Sequence, residues 1–170
     1  MKKAPQTLSL DKRVNKWKEF FKKQLGTQFR LIRCKNLLGL CLLIYSHESL
    51  NAEIDSKKNV ALDNYAKIIV NKGAIAVKMS INSTNLTFIT SHFSAGSEHT
   101  GKRNNQYLKC AKAFSGYLEN SHVFWFGDFN YRLEDISVEE AKSLIEHKNY
   151  QELLKHDQVN FGKSKKKLKH

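Results

Sequence analysis

The sequence predicts an α/β protein: a mixed sheet with helices packed on its faces. Three observations lead there. Apolar residues recur sometimes at the two-residue step of a strand and sometimes at the three-to-four step of a helix. The strand-like segments come in pairs, with helical stretches between them. A chain of 170 residues has room for one such domain, and its 41% hydrophobic and 11% aromatic content can fill a core without disulfide staples.

Val14, Trp17, Phe21 and Leu25 are spaced by three and four, so a helix is expected over 11–25 with these residues inward and lysines opposite. Gly26 is placed to end it. Segments 29–34 and 38–45 read as strands, the second so uniformly apolar that burial on both faces is expected. Residues 53–62 hold a further extended segment. In 74–81, Ile75, Val77, Met79 and Ile81 alternate with Ala76, Lys78 and Ser80. The turn formers Asn82, Ser83, Thr84 and Asn85 follow, and 86–91 resumes a strand, which makes a hairpin. Residues 98–120 read as one helix with Tyr107, Leu108, Ala111, Phe114 and Leu118 inward. A short buried strand over 122–126 ends at Gly127. Ser137, with Glu140 three residues on, is a capping box that opens a helix to about residue 148, and a shorter helix carries Leu153 and Leu154.

Charge is unevenly spread. The chain holds 29 Lys and Arg against 16 Asp and Glu, a formal +13. Residues 1–35 carry 11 bases and two acids and residues 163–170 add five lysines, while 36–162 is nearly neutral with 13 bases and 14 acids. Basic ends favour phosphate-bearing partners, nucleic acid or anionic lipid headgroups; solvated, solubilising ends are the plainer alternative. The longest apolar run, 37–45, is too short to span a bilayer, which needs about 18 residues or more. Residues 1–5 lead into a charged segment rather than an apolar signal core, so an intracellular, cytoplasmic location is expected. Cys34 and Cys41 sit in apolar stretches and are expected as buried thiols; with Cys110 they make no close pair and no zinc-ligand spacing.

Three polar clusters stand at the ends of apolar strands, where sites are commonly built. The first runs Trp125, Phe126, Gly127, Asp128, Phe129, Asn130, Tyr131, Arg132. Gly127 would let backbone approach a ligand, and in an extended chain Asp128 and Asn130 point to one side. A carboxylate beside a carboxamide suits phosphate-ester hydrolysis, the first taking a proton from water and the second donating to a phosphoryl oxygen. An Asx turn bonding only local backbone is the structural alternative. The second cluster centres on His92, after Thr90 and Ser91 and before Ala95 and Gly96. It could bind a phosphate, orient an acid, ligate a metal or serve structure alone. The third, Asn71, Lys72 and Gly73, offers a point charge and open backbone amides for an anion, without the spacing of any complete nucleotide-binding loop. Arg103 and Asn104, opening the long helix, suit anion binding or an exposed polar turn equally.

Together and in this order the clusters resemble the inositol polyphosphate 5-phosphatases, of the endonuclease/exonuclease/phosphatase superfamily. The family pattern W-x-G-D-x-N-x-R is matched by Trp125, Gly127, Asp128, Asn130 and Arg132. N-K-G-G is matched by Asn71, Lys72 and Gly73, with Ala74 in place of the last glycine. S-H-L-A-A-G and then R-N are met by Ser91, His92, Ala95 and Gly96, and by Arg103 and Asn104. The resemblance covers roughly 10–159 and implies a DNase I-like α/β sandwich. It implies Mg²⁺-dependent removal of the 5-phosphate from phosphoinositides or soluble inositol polyphosphates; the basic ends add the expectation of peripheral contact with anionic membrane. By the same resemblance Asp128 orients or deprotonates water, Asn130 contacts the scissile phosphate and His92 bonds a phosphate oxygen. Asn71, Lys72, Arg103 and Asn104 lie toward the substrate, while Trp125, Gly127 and Arg132 support the site.

Two departures shape the expectation. The family's metal-binding glutamate would precede Met1, so no metal ligand is assigned here, and its closing P-[AS]-W-C-D-R and S-D-H motifs do not occur. Residues 1–160 therefore read as a partial catalytic domain with doubtful activity, followed by a Lys-rich tail over 161–170. Two other functions stay open: a non-catalytic chain that binds anionic headgroups or a partner protein, and a nuclease-like relative. The N-K-G and S-H motifs favour the phosphatase branch, which disfavours nucleic acid as a partner.

Overall fold

In the computed structural model of the chain, residues 5–37, 39–62 and 72–160 are described. Helix α1 (Pro5–Leu25) precedes the hairpin of β1 (Phe29–Leu37) and β2 (Leu40–His47). Strands β3 (Ala52–Ala61), β4 (Gly73–Ile81) and β5 (Thr84–His92) follow. A 3₁₀ turn leads into α2 (Thr100–Ala113) and α3 (Ser115–Leu118), then β6 (His122–Asp128), α4 (Val138–Glu146) and α5 (Tyr150–Lys155). Leu38, where the second strand was expected to begin, and the 161–170 tail lie outside the described residues.

The strands form two sheets. Among the described residues β1 pairs with β2, and β3-β4-β5-β6 form the larger sheet, antiparallel except for the parallel β5–β6 seam. β4 is the hub because both its faces are apolar. Ile75, Val77 and Met79 pack against Leu42 and Ile44 of β2, while Ala74 and Ala76, with Ile89 and Phe93, pack against Cys110 and Phe114 of the helical layer. On the outer side of the small hairpin, Tyr45 lies 6.1 Å from the Phe21 ring and its hydroxyl donates to Lys18 O at 3.3 Å. The layers thus run helix, hairpin, sheet, helices: the α/β sandwich that the motifs imply.

Several elements fall where periodicity put them. Gly26 ends α1 with φ 77°, a left-handed turn. The β4–β5 hairpin is tighter than expected: Asn82 and Ser83 alone make the turn, both with positive φ as a type I′ turn requires, and Thr84 and Asn85 join the strand. Ser137 and Glu140 form the complete capping box of α4.

Four expectations are corrected. In α1, Val14 is buried but Trp17 and Phe21 are exposed, because a two-stranded hairpin covers only one flank of the helix. β2 is buried on one face, with Leu42, Ile44 and Ser46 inward and Cys41 exposed. β6 is an exposed edge strand rather than a buried one. The long helix breaks at Phe114, and its inner face is Arg103, Gln106, Cys110 and Phe114, leaving Tyr107 and Leu108 exposed. The apolar count misplaced that face because two buried polar side chains occupy it.

Candidate active site

Register builds the site. Gly73 pairs with His92 across β4–β5, and His92 pairs with Asp128 across β5–β6, so one row of the sheet carries Lys72 (one residue before Gly73), His92 and Asp128 to neighbouring positions. Lys72 Nζ lies 2.5 Å from His92 Nε2, and the same nitrogen is 3.5 Å from Asp128 Oδ2. Lys72 is buried, His92 half-buried, and the Asp128 side chain is 64% exposed. A charged amine, an imidazole and an open carboxylate therefore meet at the surface end of the sheet. An ammonium has no lone pair, so Nε2 accepts from Lys72 when the lysine is charged, and the ring proton then sits on Nδ1.

The turn after β6 holds the carboxamide. Asn130 does not continue the strand: its φ is 56°, and its backbone N–H donates to Asp128 Oδ1 at 3.1 Å. The Asx turn weighed against an extended pairing is thus present, and it corrects the expectation that the two side chains project together. It also fixes Asn130, whose Nδ2 donates to Phe93 O at 3.0 Å and whose Oδ1 accepts from Arg132 Nη2 at 3.1 Å. Phe93 N–H returns a bond to Asp128 O at 3.0 Å.

Gly127 is needed for a reason other than ligand approach. With φ 130°, its Cβ would fall 2.2 Å from Ser91 O and 2.7 Å from Ser91 N, inside the backbone of β5. Trp125 locks the same seam: its indole N–H donates to Ser91 Oγ at 2.8 Å and its ring stacks on Tyr107 at 4.9 Å.

Arg103 is also corrected. It is fully buried, and its guanidinium donates to Gly96 O at 2.5 Å, Ser94 O at 3.1 Å, Thr100 Oγ1 at 3.2 Å and Gln158 Oε1 at 2.6 Å. Burial pushes its pKa down, and these acceptors compensate the charge in place of solvent. It braces the loop after β5 from within and presents nothing to a substrate. Asn104 Oδ1 accepts from Tyr131 Oη at 2.8 Å, beside a phenol that burial pushes up. Asn71 lies outside the described residues.

Gln158 fits the family resemblance in sequence, but sequence reasoning gave it no role in the site. It is fully buried; its Oε1 accepts from Arg103 Nη2 and from Arg132 N–H at 2.9 Å, and its Nε2 donates to Glu134 Oε1 at 2.7 Å. One amide thereby ties α2, the 128–132 turn and the C-terminal helices together. Gln106 does the same locally, exchanging bonds of 2.9 Å with Ser94 N–H and Ser94 Oγ. Arg103, Gln106 and Cys110 at helical spacing were the available signal.

Among the described residues no three His, Cys, Asp or Glu side chains gather as a metal site. Among them also, no helix is long and apolar enough to cross a membrane.

The model of the endonuclease/exonuclease/phosphatase family 2 matches residues 1–169. The chain belongs to this family. Synaptojanin-1 of Homo sapiens is 35% identical over 141 residues, 78% of this chain and 9% of that protein. Phosphatidylinositol 3,4,5-trisphosphate 5-phosphatase 2 of Homo sapiens is 36% identical over 113 residues, 61% of this chain and 9% of that protein. Among solved structures, the inositol polyphosphate 5-phosphatase domain of spSynaptojanin, in complex with inositol (1,4)-bisphosphate and calcium ion, superimposes with a TM-score of 0.64 at 29% identity. That match covers 89% of this chain and 46% of the solved domain. A Cimex nitrophorin ferrous NO complex matches with a TM-score of 0.70 at 23% identity, over 96% of this chain and 57% of its own, a likeness of fold alone. This family member thus has the DNase I-like architecture and spans about 9% of the curated relatives it matches.

Proposed function

We propose that the chain is of the phosphoinositide or inositol polyphosphate 5-phosphatase type, a phosphoric monoester hydrolase. The observation that carries the reading is the row of Lys72, His92 and Asp128 at the end of one sheet, with Asn130 fixed beside it. In the reaction, the oxygen of water attacks phosphorus, the bond from phosphorus to the inositol oxygen breaks, and that oxygen takes up a proton. The products are an alcohol and inorganic phosphate. Asp128, open to solvent, orients the water or accepts its proton. Lys72 and His92 donate to phosphoryl oxygens, and so does the second N–H of the Asn130 amide. The resemblance assigns Asn71 to substrate binding along with Lys72, and Trp125, Gly127 and Arg132 hold the turn.

Mg²⁺ is the cation that the resemblance implies, and it would neutralise phosphate charge. The described residues do not fit it as a resident ion: one carboxylate beside a lysine ammonium is a poor donor set, and no cluster of three ligands is present among them. In this reading residues 1–160 form part of a catalytic domain and 161–170 a basic tail, and the chain is cytoplasmic with peripheral contact to anionic membranes.

A second reading, headgroup binding without turnover, is favoured by that same poor donor set. Phosphate release from phosphatidylinositol 4,5-bisphosphate with Mg²⁺, measured beside Asp128→Asn, separates the two. Release that falls by about 10²-fold or more in the variant is expected for the enzyme. Release from neither protein, with vesicle binding retained, establishes the second reading; equal release from both removes Asp128 from its role.

A further inference from the structure

We propose that the aromatic flank of α1 docks on anionic membrane, with Trp17 and Phe20 entering the headgroup layer. The inference takes up the membrane contact of the reading above and does not depend on turnover. Trp17, Phe20 and Phe21 are 55%, 50% and 36% exposed, yet they pack on one another at 5.4–5.8 Å between ring centroids. Among the described residues this contiguous aromatic cluster stays exposed, and such a cluster marks an interaction surface, unlike single exposed apolar residues. The cluster is anchored below by the Phe21–Tyr45 contact, so it stands on a fixed helix.

Its surroundings select the partner. At about 100° per residue, Arg13 and Lys16 flank Phe20, and Lys12 and Lys23 lie just beyond them. These four side chains are exposed, and α1 carries no acid in its first turn and two lysines in its last. Aromatic rings bordered by cations form the face of a helix that lies in the plane of a bilayer, with rings at headgroup depth and lysines on anionic phosphates. Single-stranded nucleic acid is the less suitable partner. Its bases need open ring faces to stack on, and here the rings spend face and edge on each other.

The test uses the full chain with vesicles of phosphatidylcholine, with and without phosphatidylserine. Binding is read by sedimentation, and depth by tryptophan emission with brominated acyl chains as quencher. Binding to the anionic vesicles only is expected, with a blue shift and quenching that disappear in Trp17→Phe, where Trp125 alone reports. Phe20→Ser should weaken binding about tenfold, and Lys16→Gln with Lys23→Gln about 30-fold, each with an unchanged circular dichroism spectrum. Vesicle binding without quenching of Trp17, as a basic tail alone would give, overturns the proposal. So does binding indifferent to these substitutions, or a blue shift that follows protein concentration without vesicles and so reports a second copy. Equal affinity for a single-stranded oligonucleotide, lost in the same variants, assigns the surface to nucleic acid instead.

Discussion

Lys72 Nζ stands 2.5 Å from His92 Nε2, on the one ring nitrogen that also faces Asp128 at 3.5 Å. That nitrogen cannot accept from the lysine and donate to the carboxylate at once. While Lys72 is charged, His92 Nε2 serves as its acceptor and offers no proton from that nitrogen. An anion that draws Lys72 onto its own oxygens releases Nε2 to take a proton and become a second donor.

Nitrogen-15 NMR of the chain should therefore show the His92 proton on Nδ1. Saturating inorganic phosphate should move protonation toward Nε2, and Lys72→Met should produce that change without phosphate. A ring already protonated at Nε2 in phosphate-free wild type contradicts this account.

Gly127→Ala tests the β5–β6 seam. An added Cβ would lie 2.2 Å from Ser91 O at φ 130°, so backbone must move and the favourable conformation is lost as well. Denaturant unfolding should report a loss of about 3 kcal/mol or more, in the range of core overpacking combined with backbone strain. A loss under about 1 kcal/mol would mean that the seam is slack.

Gln158→Ala removes the acceptor shared by Arg103 and the Arg132 amide. Each buried donor left unsatisfied costs about 1–3 kcal/mol, so a fall of about 2–4 kcal/mol is expected. Hydrogen exchange should speed up in 130–160 before the sheet loosens. Arg103→Met should act likewise on the 94–97 loop and leave substrate affinity per folded molecule unchanged. A specific rise in KM with intact stability would return Arg103 to the substrate.

The cysteines make a pH prediction. Burial pushes the Cys110 thiol up to about 12, and desolvation, with Cys34 adjacent, pushes Cys41 up to about 11. Both folded pKa values exceed the unfolded one, so the stabilisation is complete below about pH 8.5 and is lost as pH climbs toward 11 and 12. Stability measured across that window should decline, and less steeply in Cys110→Ala. At pH 8 iodoacetamide should spare Cys110 in the native chain and label exposed Cys41 about 100-fold more slowly than an unperturbed thiol, following its thiolate fraction.

What could be read from the sequence divides by physical cause. The β4–β5 hairpin, the Gly26 stop and the Ser137–Glu140 box depend on neighbouring residues, and the order of residues shows them. The inner face of α2 depends on what lies across from it: Arg103 and Gln106 are inside because the 94–97 loop exposes carbonyls and an amide that need partners there. Cys34 and Cys41 looked separate along the chain. Antiparallel register puts Cys41 opposite Asn36, two positions from the Cys34–Leu43 pair, on the same outer face. In the candidate site the motifs located Lys72, His92 and Asp128, but the Asx turn at Asn130 and the role of Gln158 needed the packed structure.

The β5–β6 seam also sets an order of events. β1–β2, β3–β4 and β4–β5 each join strands adjacent in sequence, whereas β6 reaches β5 only after the helical crossover of α2 and α3. Non-local pairing pays its loop-closure entropy before any contact rewards it. β6 should zip on last during folding, and as an edge strand among the described residues, held only by its non-local pairing, it should peel away before β3. His92 and Asp128 sit on opposite sides of that seam, so the row of Lys72, His92 and Asp128 exists only while the seam is closed. A molecule that keeps its core and its spectrum can still have no site, and the lifetime of the site is that of one edge strand.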